Sequence, residues 1–461
     1  MRSFYTRLVS KVLFPLHERL KGHTTVAIRR EMERSQWLGI DEIRERQVER
    51  LRGLLIHCKV HVPYYRDVLS VLGLEPTDFQ SPQDLQKLPF LTKPIIRENT
   101  DRLKADNAVG LARFNTGGSS GEPLIFFIGK ERVSHDVAAK WRATRWWGVD
   151  IGDPEVVVWG SPIELGKQDH IKAIRDRMLR TTLIPAFEMS EAKLDGFVQE
   201  IIRLRPKMLF GYPSALAHIA EHAKKRGAPV DSLGIEVAFV TSERLYDHQK
   251  EIIEKGFGCR VANGYGGRDA GFIAHACRHG SMHITAEDII VEIVDEGGAV
   301  LPPGQAGEIV VTHLATREFP FIRYRTGDVA VLDDHPCGCG RGLPVLKEIQ
   351  GRTTDFVVAA DGTVMHGLAL IYVLRDLPGL RRFKIVQESL DLTRVLIEAD
   401  PHMALTLTPT IIAGIKRRLG GSVRVEVERV DDIPKEASGK FRYIVSKVRS
   451  PVPSVGLRTN A

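Results

Sequence analysis

The sequence predicts an α/β chain: a large N-terminal domain of βαβ layers with an antiparallel β portion, then a small α+β C-terminal domain. Three observations carry this. From about residue 110 to 350, short β-rich runs alternate with helical stretches such as Ala215–Lys225, the pattern of βαβ units around a substantially parallel sheet. Over 287–314 the apolar runs shorten and turn residues cluster, which reads as antiparallel β. After Gly351 a strand, an Asp-Gly turn and a second strand open a separate small unit.

The elements follow in order. Residues 1–108 read as a largely helical, charged lead-in. Ile43, Val48, Leu51, Leu54 and Leu55 recur near helical spacing, and the prolines of the 61–69 and 87–99 segments break helices. The first 23 residues are basic and partly amphipathic and lack the apolar core and cleavage site of a signal peptide. Two readings stand for them: an ordinary packed helix, which is preferred, and a helix lying on a membrane surface. The β-rich runs 123–129, 154–160, 207–213 and 235–243 are assigned to the parallel sheet. In the last unit, 355–367 forms the hairpin and 368–377 a helix. Strands 381–388 and 393–399, a helix over 408–420 and a strand over 422–430 complete it. The domains are therefore 1–350 and 351–450, with 451–461 a loose tail.

Composition narrows the function. With 43% hydrophobic and 27% charged residues, the 461-residue chain is neither disordered nor fibrous, and no apolar run is long enough to span a membrane. A net charge of +7 suits a small polyanion such as ATP and does not call for nucleic acid. Five cysteines, odd in number and sparse, point to a reducing compartment, the cytoplasm.

Five motifs carry chemistry. The loop Thr116-Gly117-Gly118-Ser119-Ser120-Gly121 offers backbone N–H groups and hydroxyls to phosphate oxygens, and it is not a Walker A loop. In Tyr265-Gly266-Gly267-Arg268-Asp269, an aromatic ring can stack on a base. Arg268 can meet phosphate there, and Asp269 can hold Mg²⁺. Asp328, ending Tyr324-Arg325-Thr326-Gly327-Asp328, can accept from ribose hydroxyls. Arg352 and Asp355 fall at the expected domain junction, and Ser438-Gly439 presents Lys440 on a loop. Cys337 and Cys339 form a tight pair, and Cys277 lies 60 residues before Cys337, followed by His279 and His283. Three cysteines and one histidine make a closed, structural zinc site.

In their order and spacing these motifs resemble the adenylate-forming (acyl-adenylate) ligase superfamily, and within it the phenylacetate–CoA ligase-like group that includes CapK-type proteins. The resemblance covers about residues 40–446. It implies a large N-terminal domain, a mobile C-terminal lid and two steps: a carboxylic acid is activated with Mg-ATP as acyl-adenylate with loss of pyrophosphate, then passed to the coenzyme A thiol. It also implies residue roles. Thr116 to Gly121 cradle the β- and γ-phosphates, Tyr265 and Gly266 lie near adenine, and Ser242 and Glu243 border the nucleotide. Arg268 and Asp269 serve catalysis and Mg²⁺, Asp328 binds ribose with Arg352 nearby, Asp355 is the hinge, and Lys440 bridges carboxylate and α-phosphate. The zinc set becomes Cys277, His283, Cys337 and Cys339, with His279 as the fallback. Glu122 and Asp269 stand where the superfamily usually carries Lys and Glu. The shorter Asp269 would then hold Mg²⁺ through water.

The resemblance also sets an expected acyl pocket bordered by Trp141, Trp146, Trp147, Tyr212 and Pro213. Core packing is the competing reading of the tryptophans. The expected partners are a small carboxylic acid, coenzyme A and a second copy in a homodimer. Two alternatives remain: transfer to an amine or hydroxyl acceptor, and a nucleotide-binding pseudoenzyme.

Overall fold

A computed structural model describes residues 3–115, 124–159, 170–185, 191–352, 356–362, 364–366, 368–374, 377–433 and 442–448. The lead-in is helical, as expected. A first rod comprises α1 (Phe4–Leu8), a π turn (Val9–Leu13) and α2 (Phe14–Leu20). The wide turn has a local cause. Pro15 has no N–H to give to the carbonyl four residues back, and its ring crowds that carbonyl, so the chain loosens there. Then come α3 (Thr25–Ser35), α4 (Ile40–His61), α5 (Pro63–Leu72) and α6 (Lys93–Glu98). Pro63 opens α5 at its first turn, and Gly73, at φ 63°, closes it. All five apolar positions anticipated on α4 are buried.

The run 123–129 departs from expectation. Among the described residues, strands β1 (Ala112–Asn115) and β2 (Ile125–Ile128) pair only with each other, antiparallel, and do not enter the parallel sheet. The cause is tertiary: Phe126 and Ile128 turn inward while Ile125 faces solvent, so the hairpin is covered on one face, where a strand of a parallel sheet is covered on both.

Next come α7 (Lys130–Trp146), β3 (Glu155–Trp159), α8 (His170–Leu179), β4 (Thr181–Pro185), α9 (Glu191–Leu204), β5 (Met208–Gly211) and α10 (Pro213–Lys225). They are followed by β6 (Val237–Thr241), α11 (Asp247–Phe257) and β7 (Arg260–Gly267). The antiparallel portion is β8 (Gly271–Ala276), β9 (Met282–Ile284), β10 (Ile289–Val294), β11 (Ala306–His313), β12 (Tyr324–Asp333) and β13 (Val345–Arg352). All these strands except β1 and β2 form one eleven-stranded sheet ordered β10-β11-β12-β13-β9-β8-β7-β6-β5-β3-β4. The strands from β4 to β7 run parallel, and every later pairing is antiparallel. Strand β7 is the switch between the two halves. Successive residues of β6 serve opposite faces: Val237 and Phe239 join the core under α4, α5 and α7, while Ala238 and Val240 join the core under α9, α10 and α11.

A third core lies between Val357 and Ile444. Its hairpin is β14 (Phe356–Val358) and β15 (Val364–His366), followed by α12 (Leu368–Leu374), β16 (Leu380–Gln387), β17 (Leu392–Ala399), α13 (Pro401–Leu419), β18 (Arg424–Arg429) and β19 (Ile444–Ser446). The four-stranded sheet runs β18-β17-β16-β19. Helix α13 begins seven residues before the expected start at 408. Asp400 caps it by accepting from the His402 N–H, and Ala404, Leu407, Ile411, Ile415 and Leu419 bury one continuous stripe through Pro409. The Thr408 hydroxyl donates to the Ala404 carbonyl beside the break, and burial of the stripe outweighs the bond lost at Pro409.

The lead-in is latched to the sheet by Arg323, at φ 50° just before β12. Its guanidinium pairs with Glu292 at 2.9 and 3.0 Å and donates to the Leu88 carbonyl at 2.7 Å, all buried. Burial raises the Glu292 carboxyl, and the arginine opposes that rise. Arg323→Met should cost about 3–5 kcal/mol in urea unfolding by stranding that carboxylate. Adding Glu292→Leu should recover a large part.

Candidate functional site

The parallel strands β3, β5, β6 and β7 all end at one edge of the sheet. That is where side chains just past the strand ends converge in open α/β sheets. Tyr212 follows β5 and stacks under Trp159 of β3 with ring centroids 4.5 Å apart. Ser242 follows β6 at φ 72°, a backbone strain that a serine seldom carries. Glu243 accepts the N–H of Ser214, at the start of α10, at 3.2 Å. Thr241 sits beside Gly264 in register, so Ser242 and Glu243 emerge next to Tyr265.

Tyr265 and Asp328 come together directly. The phenol donates to the Asp328 carboxylate at 2.8 Å, and burial with that carboxylate beside it keeps the phenol protonated. Asp328 sits opposite Arg352 in the β12–β13 register. Gly266 is required by close approach, because a Cβ there would lie 2.3 Å from the Gly271 carbonyl.

Asp269 is held from two sides. Its carboxylate accepts from the Tyr324 hydroxyl at 2.6 Å and from the Ala270 N–H at 3.1 Å. The turn beneath it hangs on Arg132 of α7, which is buried and donates to the carbonyls of Arg268 and Asp269, each at 3.0 Å. Arg132 also donates to Asp136 at 3.2 Å, and Asp136 lies 3.7 Å from His313. Burial alone would raise Asp136, but Arg132 and His313 together hold it below the usual carboxylate range. Burial, helped by Arg132, pushes His313 down to about 4. Its Nδ1 accepts the Ala315 N–H, which leaves the proton on Nε2 facing Asp136. Neither Arg132 nor Tyr324 was singled out from sequence. Tyr324 lies inside a quoted motif, but nothing local marks an arginine of a distant helix.

The four residues of the expected zinc set also converge. One ligand atom from each of Cys277, His283, Cys337 and Cys339 lies within 4.8 Å of the others, and the fallback His279 is not in the group. Sulfurs on a tetrahedral zinc sit about 3.8 Å apart, and Cys277 and Cys337 are 3.7 Å apart. His283 Nε2 faces the Cys339 sulfur at 3.2 Å, and its Nδ1 lies 3.2 Å from the Leu343 carbonyl, as an outer-shell partner would. Burial lowers His283 to about 4, which keeps it the neutral imidazole that a metal needs. Burial pushes Cys277 up to about 11. For Cys337, burial is outweighed by hydrogen bonds from Ser281 and Cys339, which hold it below the ordinary thiol value. The donor set fits zinc. Cys58 and Cys259 are buried free thiols, as expected of small hydrophobes.

The expected acyl wall is corrected in part. Trp141 donates to Asp150 and lies under Arg29, and Trp147 donates to the Ala276 carbonyl. Trp146 donates to Gln36 and packs edge-on to His283 at 5.8 Å. All three are core residues because each indole N–H finds an acceptor inside. Tyr212 and Pro213 do lie at the strand edge. The expected residues Thr116, Gly117, Gly118, Ser119, Ser120, Gly121, Asp355 and Lys440 lie outside the described residues.

A family model for the CapK C-terminal domain matches residues 357–447. A phenylacetate–coenzyme A ligase of Thermus thermophilus is 27% identical over 442 residues, covering 88% of this chain and 96% of the relative. Protein CapK of Staphylococcus aureus is 23% identical over 416 residues, covering 89% and 90%. Among solved structures, a 2-hydroxyisobutyryl-CoA ligase in the postadenylation state superposes with TM-score 0.72 at 21% identity, covering 90% and 92%. The homologues of this chain are thus phenylacetate–CoA ligases and CapK, and its fold is that of the adenylate-forming ligases.

The His313 network predicts acid sensitivity. Its folded pKa near 4 lies below the unfolded value near 6.5, so the unfolded chain binds the proton more readily. Stability from this group is complete above about pH 6.5 and falls as the pH drops towards 4. Urea unfolding at pH 5 against pH 7 should show His313 contributing up to about 2 kcal/mol of the loss. His313→Asn should flatten that difference even though it is less stable at pH 7.

Proposed function

We propose that this protein is an acid–thiol ligase that activates a carboxylic acid with ATP and passes the acyl group to coenzyme A. The observation that carries the reading is the meeting of Tyr265 with Asp328, and of Asp269 with Tyr324 and Arg132, at the carboxyl edge of the parallel strands. Two relatives named as phenylacetate–CoA ligases, each matching 88% of this chain, support the same chemistry.

In the first step a carboxylate oxygen attacks the α-phosphorus of ATP, and the bond to the bridging oxygen breaks, releasing pyrophosphate. Little of this requires a protein nucleophile; it requires positioning and charge neutralisation. Thr116 to Gly121 serve the β- and γ-phosphates, with Ser242, Glu243, Tyr265 and Gly266 along the base and Asp328 and Arg352 at the ribose. Arg268 faces phosphate, and Lys440 meets the developing charge on the α-phosphate. Mg²⁺, when bound, neutralises phosphate charge. Asp269, oriented by Tyr324, is the carboxylate suited to hold it. In the second step the thiol sulfur attacks the acyl carbon, AMP leaves, and the thiol proton passes to solvent. Residues 351–450 act as the lid, turning at Asp355. A separate core supports this division. Zinc on Cys277, His283, Cys337 and Cys339 would be structural, since all four positions of a tetrahedron are filled by protein. The five free thiols support a cytoplasmic setting.

ATP–pyrophosphate exchange across a carboxylic acid library tests the first step. Acid-dependent exchange is expected, and the absence of exchange with every acid of a broad panel, ATP still bound, would favour the pseudoenzyme. AMP release that needs coenzyme A separates the thiol acceptor from an amine or hydroxyl. Lys440→Ala should lower exchange by roughly 10²–10³-fold while leaving the melting curve unchanged. Metal analysis should find about one zinc per chain, lost with thermal stability in Cys337→Ser.

A further inference from the structure

The first helical rod packs against the body on one side only. Thr6 donates to Asp153 at 2.8 Å, Tyr5 donates to the Met178 carbonyl at 2.9 Å, and Phe14 meets Trp141 edge-on at 5.1 Å. Glu18, buried, accepts from Thr25 and lies against His17 and His23. The other side faces solvent. Phe4 is 83% exposed, Val12 52%, Leu16 53% and Leu20 81%. Interleaved with them are the exposed cations Arg7, Lys11, Arg19 and Lys21. Glu18 is the only acidic residue from Ser3 to Thr24, and it is turned inward. The neighbouring α8 adds Ile174, 71% exposed, and the exposed Arg177, and the exposed Arg180 follows its last turn.

From this face we infer that the rod is a docking surface for an anionic lipid bilayer. Charge chooses the occupant. A second copy meeting this face about a two-fold axis would set Arg7, Lys11, Arg19 and Lys21 against their own images with no acid to receive them. An anionic headgroup layer receives the cations while the acyl boundary receives Phe4, Val12, Leu16 and Leu20. The rod is about 25 Å long and lies flat on the body, and no helix among the described residues is long and apolar enough to cross a membrane. The geometry therefore gives peripheral attachment, independent of the ligase reaction.

Co-sedimentation of the full chain with extruded vesicles tests this. Phosphatidylcholine vesicles containing phosphatidylglycerol should carry the protein down, and pure phosphatidylcholine vesicles should leave most of it in solution. Raising the salt to about 0.5 M should weaken the binding. Lys11→Glu with Arg19→Glu should lower affinity at least about tenfold, and Leu16→Glu with Leu20→Glu should abolish it. All four side chains are exposed, so both variants should keep the wild-type circular dichroism and melting curve. Wild type that stays in solution with both vesicles would overturn the inference. So would either folded variant binding undiminished, or light scattering that shows a dimer broken by Leu16→Glu with Leu20→Glu.

Discussion

A single buried guanidinium organises the centre of this protein. Arg132 divides its donors between two carbonyls of the turn after β7 and the carboxylate of Asp136. A buried cation is tolerable only when it is paired and its donors are satisfied. The turn at Arg268 and Asp269 therefore has little freedom to move without stranding charge. That turn is also where the sheet changes from parallel to antiparallel pairing. One helix thus fixes both the topological switch and the carboxylate that projects from it.

The cysteine–histidine cluster applies the same logic at the opposite end of β8. It gathers the turn after β8, the start of β9 and the loop before β13, elements that are close in space but 60 residues apart in sequence. Trp146 caps the imidazole, and Arg341 lies over the indole at 4.4 Å. Trp146 therefore forms a wall of this clip, and of the anticipated set only Tyr212 and Pro213 stand at the carboxyl edge of the parallel strands.

Much of this was legible in the sequence, and the exceptions have physical causes. The parallel strands announced themselves because burial on both faces demands continuous apolar runs, as in Val237–Thr241. The run at Ile125–Ile128 looks similar over four residues, and only its pairing reveals a detached hairpin. The start of α13 was misplaced because Pro409 is a strong local stop signal, while the burial that overrides it is a tertiary effect. Within the site, Tyr265, Asp269 and Asp328 were recognisable as members of motifs. Arg132 was not, since its importance lies in two carbonyls that are 136 and 137 residues away. The indole roles were ambiguous for a related reason: an aromatic side chain looks the same in a sequence whether it lines a cleft or a core.

The π turn ahead of Pro15 has an angular consequence. A residue in such a turn advances around the axis by less than the 100° of an α-helix, so five of them set back everything downstream. In an unbroken helix Leu16 and Leu20 would fan progressively away from Phe4. The widened turn retards their phase and gathers the three into a narrower sector. The azimuth of this face is thus set by an imino acid that contributes no contact to it, and an exchange at position 15 would rotate the stripe without altering its hydrophobicity or charge.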